Sequence, residues 1–336
     1  MLTKRCVTVY TPFADGARRV TRRSEYLADL VLAERRRKRW INIKDNAGLY
    51  LFVLPGIVIT FVFHYVPIYG VQIAFRNFSL RRGFWGSEWV GFAHFLRFFN
   101  SPNFAITVWN TFALSAYSLV AGFPIPIILA LLLNAFKHKR YRRVIQTVTY
   151  APNFISVVVM SGMLLLFLSP RVGFINGIIS ALGGTPVNFM AEQGLWRHIY
   201  VWSGIWQGAG WSSVIYFAAL AGVSPEYYEA AIIDGATKFQ RIIHIDLFFI
   251  IPTATLLLIL NFGSILSVGF EKAFLLQNPL NLRVSEIIST YVYKVGLLNR
   301  DLSFSAAIGL FNSVVNSVLL ITVNRVVRRV SDYGLW

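Results

Sequence analysis

The chain has 336 residues, of which 56% are hydrophobic and only 14% are charged, and its net charge is +17. A soluble domain of this length cannot hide so much apolar side chain in one core. The composition therefore excludes an ordinary soluble protein and predicts a membrane protein whose basic residues lie on the cytoplasmic side.

The first 48 residues form a basic tail without the apolar region and small-residue cleavage site of a signal peptide, so the first span is expected to direct insertion. The spacing of Leu27, Leu30 and Val31 after a capping Ser24 predicts an interfacial helix at the membrane surface. The following run RRRKR is typical of a segment beside a first span, so nucleic-acid binding is not expected. Cys6 is the only cysteine, which excludes an intrachain disulfide and a cysteine-based metal site.

Six stretches of about 20 or more mostly apolar residues follow, each long enough to cross a bilayer as a helix. They are residues 49–69, 107–136, 144–168, 198–223, 247–270 and 304–323. Between their ends they contain no Asp, Glu, Lys or Arg, and His64 is the one ionisable side chain there. Because proton-driven transporters usually hold an ionisable relay inside the membrane, this absence argues against that class.

Lys and Arg set the predicted orientation, because cytoplasmic loops and tails carry an excess of them. They concentrate in the tail, in the short connection 137–143, and after the last span at Arg325, Arg328 and Arg329. An even number of spans puts these segments on one side, so both termini are predicted to be cytoplasmic. The remaining connections are then external: 70–106, 169–197 and 271–303.

Several functional motifs are missing from the sequence. It has no G-x-x-x-x-G-K-[ST] loop, so energy for uphill transport is expected to come from a separate ATPase subunit. It also lacks the H-E-x-x-H pattern of zinc hydrolases and the G-x-S-x-G nucleophile elbow, and its histidines show no metal-ligand spacing. The chain is therefore expected to be neither an enzyme nor a metal-binding protein.

The fourth connection, 224–252, reads SPEYYEAAIIDGATKFQRIIHIDLFFIIP. Ser224 is a good N-cap and Pro225 suits the first helical position, so a helix is predicted to begin there. It is predicted to end at Gly235, which adopts a left-handed conformation without steric cost. Thr237 and Gln240 then form a capping box that starts a second helix running into the fifth span.

The segment EAAIIDGA at 229–236 resembles the EAA loop of binding-protein-dependent ABC importer permeases. The family pattern continues as Ile-x-Leu-Pro, which Ile245 and Leu247 match, whereas Phe248 replaces the proline and Asp246 replaces a small polar residue. The resemblance implies an all-α integral membrane protein with the six-helix type I importer permease fold. Residues 49–336 then form one permease domain with a coupling loop at 224–252.

In this family the loop docks as a coupling helix in a cleft of the ATPase. The resemblance implies that six residues make this contact: Glu229, Ala230, Ala231, Asp234, Gly235 and Ala236. It further implies a second homologous permease, two cytoplasmic ATPases that hold ATP and Mg, and an extracytoplasmic solute-binding protein. The chain itself is expected to bind no cofactor and to lie, as a multi-pass protein, in a prokaryotic cytoplasmic membrane.

The C-terminal third, from LLQNPLNLRVSEIISTYVYKVGL onwards, resembles permeases for polysaccharides and complex oligosaccharides, including alginate-type polymers. Sugars are bound by amides, hydroxyls and aromatic faces, so mid-span residues of these types are candidates for the substrate path. The candidates are Asn153, Trp202, Trp206, Gln207, Asn261 and Asn312. Prolines at 124, 126, 152 and 252 either shape a central cavity or only kink the helices.

Two alternatives stay open at this point: an importer permease for a non-sugar solute, and a membrane-embedded glycosyl- or acyltransferase. The charge of the cargo is also open. Basic side chains on the route would favour an acidic polymer, but the sequence cannot place four candidates that all lie in external connections: Arg171, Arg197, Arg283 and Lys294.

Overall fold

The computed structural model describes residues 38, 41–42, 44–136 and 138–330. The predicted interfacial helix of the tail lies outside these residues. The described part is mostly helical, as the sequence predicts, and its only strands are an antiparallel pair of two residues each, β1 Arg76–Asn77 and β2 Glu88–Trp89. The chain divides into two units after Gly70, and each is described by itself.

The first unit contains α1, Ala47–Thr60. This helix continues as a turn of π-helix, Phe61–Tyr65, and then as a 3-10 helix, Val66–Phe75. The apolar helical run Ala47–Phe75 is 29 residues long and includes the predicted first span.

The second unit holds the other helices of the described residues. In chain order they are α2 Gly83–Gly86, α3 Ala93–Phe99, α4 Pro102–Gly122, α5 Pro124–Ala135, α6 Lys139–Tyr150, α7 Val157–Phe167, α8 Phe174–Ala181, α9 Gln193–Ala221, α10 Pro225–Ile233, α11 Lys238–Arg241, α12 Leu247–Gly263, α13 Phe270–Leu276, α14 Leu282–Ser285, α15 Ile288–Tyr293 and α16 Leu302–Val330.

The predicted second span corresponds to α4 and α5, which together form a run of 34 residues. Ser101 caps α4 by accepting a hydrogen bond from the backbone N–H of Asn103, and Pro102 occupies the first turn. Pro124 stands at the first position of α5, so its missing N–H marks the junction between the two helices.

The predicted third span is not one continuous helix. A 3-10 turn, Ala151–Phe154, follows α6, and α7 then leaves at 96° to the preceding segment. Pro152 cannot donate a backbone hydrogen bond. Ser156 is the N-cap of α7, and its side chain accepts a hydrogen bond from the backbone N–H of Val159. The proline therefore breaks the span rather than merely kinking it.

The predicted fourth span corresponds to α9, a helix of 29 residues that ends at Ala221, two residues before the predicted end. Among the described residues, four helical runs are long and apolar enough to cross a membrane, or five if the bent pair is one span, and α9 is not among them. Its Trp, Gly, Ser and Gln residues lower its hydropathy. The helix contacts α4, α5, α6 and α12, so neighbouring helices rather than lipid surround much of it. The count of six spans stays a prediction.

The helix that was predicted to start after Thr237 and to run into the fifth span is present, whereas the predicted end of the span at residue 270 lies beyond the end of this helix. The helical run begins at Lys238, passes through a π turn at Ile242–Asp246 and ends at Gly263. The predicted stretch 247–270 therefore missed Asp246, a buried carboxylate inside the run. The sixth span, α16, extends beyond its predicted range at both ends.

Three apolar clusters form the core of the second unit. The first cluster contains Trp196 and Leu114, and the second contains Phe98 and Ile308. The third cluster contains Tyr216 and its neighbours on α5 and α12. Two of the three clusters include residues of α9, which is thus the central helix of this unit.

Candidate functional site

The segment of residues 224–241, called the hairpin below, has the local structure that the sequence predicts. The Ser224 side chain accepts a hydrogen bond from the N–H of Glu226 at 3.4 Å, and α10 follows. Gly235 has a φ of +76°, so the predicted left-handed turn is confirmed. Thr237 and Gln240 form the predicted capping box, with the Thr237 N–H donating to Gln240 Oε1 at 2.7 Å.

The six predicted contact residues lie together on the hairpin. Glu229, Ala230, Asp234 and Gly235 are exposed, whereas Ala231 and Ala236 are half-buried. Beside them Ile233 is 85% exposed and Phe239 is 70% exposed. Exposed apolar side chains next to small residues are typical of a surface that a partner protein covers.

A buried polar cluster ties this hairpin to the spans. Asp246 is only 3% exposed, and its Oδ1 accepts hydrogen bonds from the Tyr228 hydroxyl at 2.5 Å and from Asn134 Nδ2 at 3.2 Å. Burial, reinforced by the hydrogen bond to Asp246, raises the pKa of Tyr228 to about 12, so its hydroxyl remains a donor at neutral pH. Tyr228 lies on α10 and Asn134 on α5, so the cluster joins three elements.

Sequence reasoning missed this cluster. It placed Asp246 in a connection because the uncharged stretch begins one residue later. The one available signal was that Asp246 replaces the small polar residue usual in the family pattern.

A cavity of about 530 Å³, called the main cavity, lies between α4, α5, α9, α12 and the segment before α13. Its size is typical of small-molecule sites, which measure about 300–1,000 Å³. Hydroxyl and amide groups alternate with apolar side chains on its walls. The polar lining residues are Ser115, Ser118, Tyr200, Ser212, Tyr216, Asn261 and Ser264.

A second cavity of about 220 Å³, called the side cavity, shares part of this wall. Ser118, Tyr200 and Ser212 line both cavities, and Gly204 and Gly208 line the side cavity only. Glycines on α9 therefore widen the space beside this helix without adding polar groups.

Of the six substrate-path candidates, Asn261 alone lines the main cavity. Gln207 donates instead to the backbone oxygen of Ile155 at 2.7 Å, which ties α9 to the break between α6 and α7. Trp202 donates to the Tyr117 hydroxyl at 2.9 Å, and both it and Trp206 are exposed.

The two remaining candidates lie elsewhere. Asn153 is half-buried in the 3-10 turn after α6. Asn312 lines a separate groove of about 400 Å³ between α15 and α16. The structure therefore does not bring the six residues together.

The hydroxyl groups of the main cavity were not predicted, because which serines and tyrosines face a common space depends on helix packing. Ser115 and Ser118 lie three residues apart on α4 and share one helical face, which is the only local signal.

Residues 122–332 match the family described as "Binding-protein-dependent transport system inner membrane component". The chain is 41% identical to Protein LplB of Bacillus subtilis over 88% of this chain and 92% of that protein. It is 39% identical to the polygalacturonan/rhamnogalacturonan transport system permease protein YteP of the same organism, over 90% and 94% of the two chains.

A solved structure is also similar. A chain in the crystal structure of a bacterial alginate ABC transporter, in complex with an alginate pentasaccharide-bound periplasmic protein, superimposes with a TM-score of 0.81. The two sequences are 39% identical, and the match covers 88% of this chain and 99% of that one.

Proposed function

The chain belongs to the family of binding-protein-dependent transport system inner membrane components, and we propose that this permease subunit carries an oligo- or polysaccharide into the cell. It is a multi-pass inner membrane protein and not an enzyme. The membrane-embedded transferase considered above is therefore set aside. A non-sugar solute remains the alternative cargo.

The observation that carries the transport mechanism is the hairpin. It presents exposed apolar and small residues at its tip, and Tyr228 and Asp246 tie its base to the spans. We propose that each of two cytoplasmic ATPases docks on such a hairpin, one on this chain and one on a second homologous permease. ATP and Mg bind to the ATPase chains, and the ATP-driven closure of these chains moves the hairpin. The spans then alternate between arrangements in which the cavity is open to the inside and to the outside.

The main cavity supports the saccharide cargo. Sugar hydroxyls pair with hydroxyl and amide side chains, and the cavity offers seven such residues, including Tyr200 and Tyr216, whose rings can cover an apolar sugar face. The relatives named for polysaccharide transport point to the same class of cargo. In this proposal α9 is the fourth of six spans, both termini are cytoplasmic, and a binding protein delivers cargo from outside.

The docking role is tested by replacing Gly235 with Val in the complete importer, reconstituted in proteoliposomes with its binding protein. Val strongly disfavours a φ of +76°, so the hairpin tip must change shape. We expect saccharide uptake to fall at least about tenfold while the chain stays inserted. Uptake of a saccharide panel, with amino acids as the competing cargo class, is the measurement.

The matched control is Gly183→Val. Gly183 has a φ of +83°, and, as at Gly235, no atom would contact an added Cβ. Equal uptake by both variants would contradict the docking role. Uptake of amino acids but no saccharide by the wild type would contradict the cargo.

A further inference from the structure

Lys272, on α13, is a buried cation without a carboxylate partner among the described residues. It is 7% exposed, and its Nζ donates a hydrogen bond to the backbone oxygen of Tyr200 at 2.7 Å. The ammonium also lies 4.8 Å from the centre of the Tyr200 ring. An ammonium group has three donors, and the described residues supply a hydrogen-bond acceptor for one of them.

A buried charge without a counter-ion is costly. Burial lowers the pKa of Lys272 to about 8, so the side chain is still mainly protonated at neutral pH. The protein therefore keeps a positive charge at a place where packing alone would favour an apolar residue.

This charge lies directly behind the wall of the two cavities. Tyr200, which holds the ammonium, lines both of them, and Gly269, one helical turn before Lys272, lines the main cavity. Gly204 lines the side cavity, and a Cβ built on it would lie 3.2 Å from Lys272 Nζ. Gly204 therefore lies beside both the ammonium and the side cavity, and its lack of a side chain lets the ammonium approach this part of α9 closely.

The four basic residues that the sequence analysis named in the external connections differ from Lys272. Lys294 forms an ion pair of 2.8 Å with Glu286. Arg197 donates to Asn110 Oδ1 at 2.7 Å, and Arg171 and Arg283 are exposed. Lys272 thus combines three properties: burial, the absence of a described counter-ion and proximity to the cavity.

We propose that Lys272 makes the cavity selective for acidic saccharides, because its ammonium attracts the carboxylate groups of uronic acid units. The inference rests on the proposed saccharide function and adds the charge of the cargo to it. A carboxylate at the side cavity supplies the missing counter-ion, whereas a neutral sugar leaves the buried charge uncompensated.

The test uses the complete importer in proteoliposomes with its binding protein. Initial uptake of trigalacturonate and of maltotriose is measured for the wild type and for Lys272→Gln, which keeps a donor for the Tyr200 oxygen but removes the charge. We expect the wild type to take up trigalacturonate faster than maltotriose. In Lys272→Gln we expect the uptake of trigalacturonate to fall at least about tenfold, which corresponds to the loss of a hydrogen bond to a charged group. Lys272→Arg should restore most of it.

The matched control is Lys294→Gln, which removes a cation that already has a partner and should change uptake less than about twofold. Basal ATPase activity and the elution profile of each variant report whether the complex is intact.

Three results would overturn the inference: an equal loss of trigalacturonate and maltotriose uptake in Lys272→Gln, no recovery of uptake in Lys272→Arg, or faster uptake of maltotriose by the wild type. Uptake of neither probe by an ATP-hydrolysing wild type would overturn the saccharide function itself.

Discussion

Asp246 accepts two hydrogen bonds, from Tyr228 and Asn134, in a place where almost no water reaches it. Removing one donor leaves a buried carboxylate with fewer partners, and such a loss is more costly than the net strength of the bond itself. The cluster is therefore a sensitive connection between α10, α5 and the run that leads into α12.

We predict that Tyr228→Phe lowers the free energy of unfolding by about 1–3 kcal/mol, because the variant keeps the ring but removes the hydroxyl donor to Asp246. Thermal unfolding of the detergent-solubilised protein measures the effect. The control is Tyr227→Phe at the adjacent, exposed tyrosine, which should stay within about 0.5 kcal/mol of the wild type. Identical stability of the two variants would show that the cluster does not hold the hairpin.

At the level of single residues, sequence reasoning succeeded where chemistry is local. Ser224, Gly235, Thr237 and Gln240 each specify their conformation through their own backbone or that of close neighbours, so their roles could be predicted. Lys272 could not, because its significance comes from Tyr200, which is 72 residues away in the chain.

Among the helices, α9 approaches α6 so closely that only glycine fits at one position. A Cβ built on Gly210 would collide with the backbone oxygen of Thr149. Backbone atoms cannot move aside as the end of a flexible side chain can, so the collision has to be relieved by shifting a helix.

We predict that Gly210→Ala separates α9 from α6 and lowers stability by about 1–3 kcal/mol, the usual cost of overpacking. Unfolding followed by tryptophan fluorescence is a suitable measurement because Trp206 and Trp211 flank the site. Gly208→Ala serves as control, since no atom lies within 4 Å of a Cβ built there. A Gly210 variant as stable as this control would contradict the close approach.

The elements also show where patterns of hydropathy are insufficient. The uncharged stretch that starts at residue 247 begins inside the helical run, because a π turn carries the helix through Asp246. The break at Pro152 was visible as a proline, but its 96° angle depends on how α7 packs against α13. The helices could thus be predicted more reliably than their ends and angles.

On the scale of the whole molecule, the distribution of charge predicts the orientation of the chain in the membrane. The basic tail, the connection 137–143 and the final arginines all indicate a cytoplasmic location for both termini. The position of the main cavity could not be predicted in the same way, since five separate segments meet around it.

We predict that a membrane-impermeant maleimide labels Cys6, the only cysteine, in inside-out vesicles and not in right-side-out vesicles. The positive-inside rule places the tail in the cytoplasm, so the thiol is accessible from that side only. A Cys6→Ser variant with Leu182→Cys in the exposed connection 169–197 should show the reverse pattern. Labelling of both thiols from the same side would refute the predicted topology.

The modest hydropathy of α9 has a consequence for how this protein is made. A segment rich in Trp, Gly, Ser and Gln gains little when it partitions into lipid by itself. As the proposed fourth span, it is expected to become stable in the bilayer once α4, α5 and α6, all synthesised earlier, offer a protein surface in place of acyl chains. Insertion of this helix by the translocation machinery and assembly of the bundle are then one event, and changes in those earlier helices would appear as failed integration of α9.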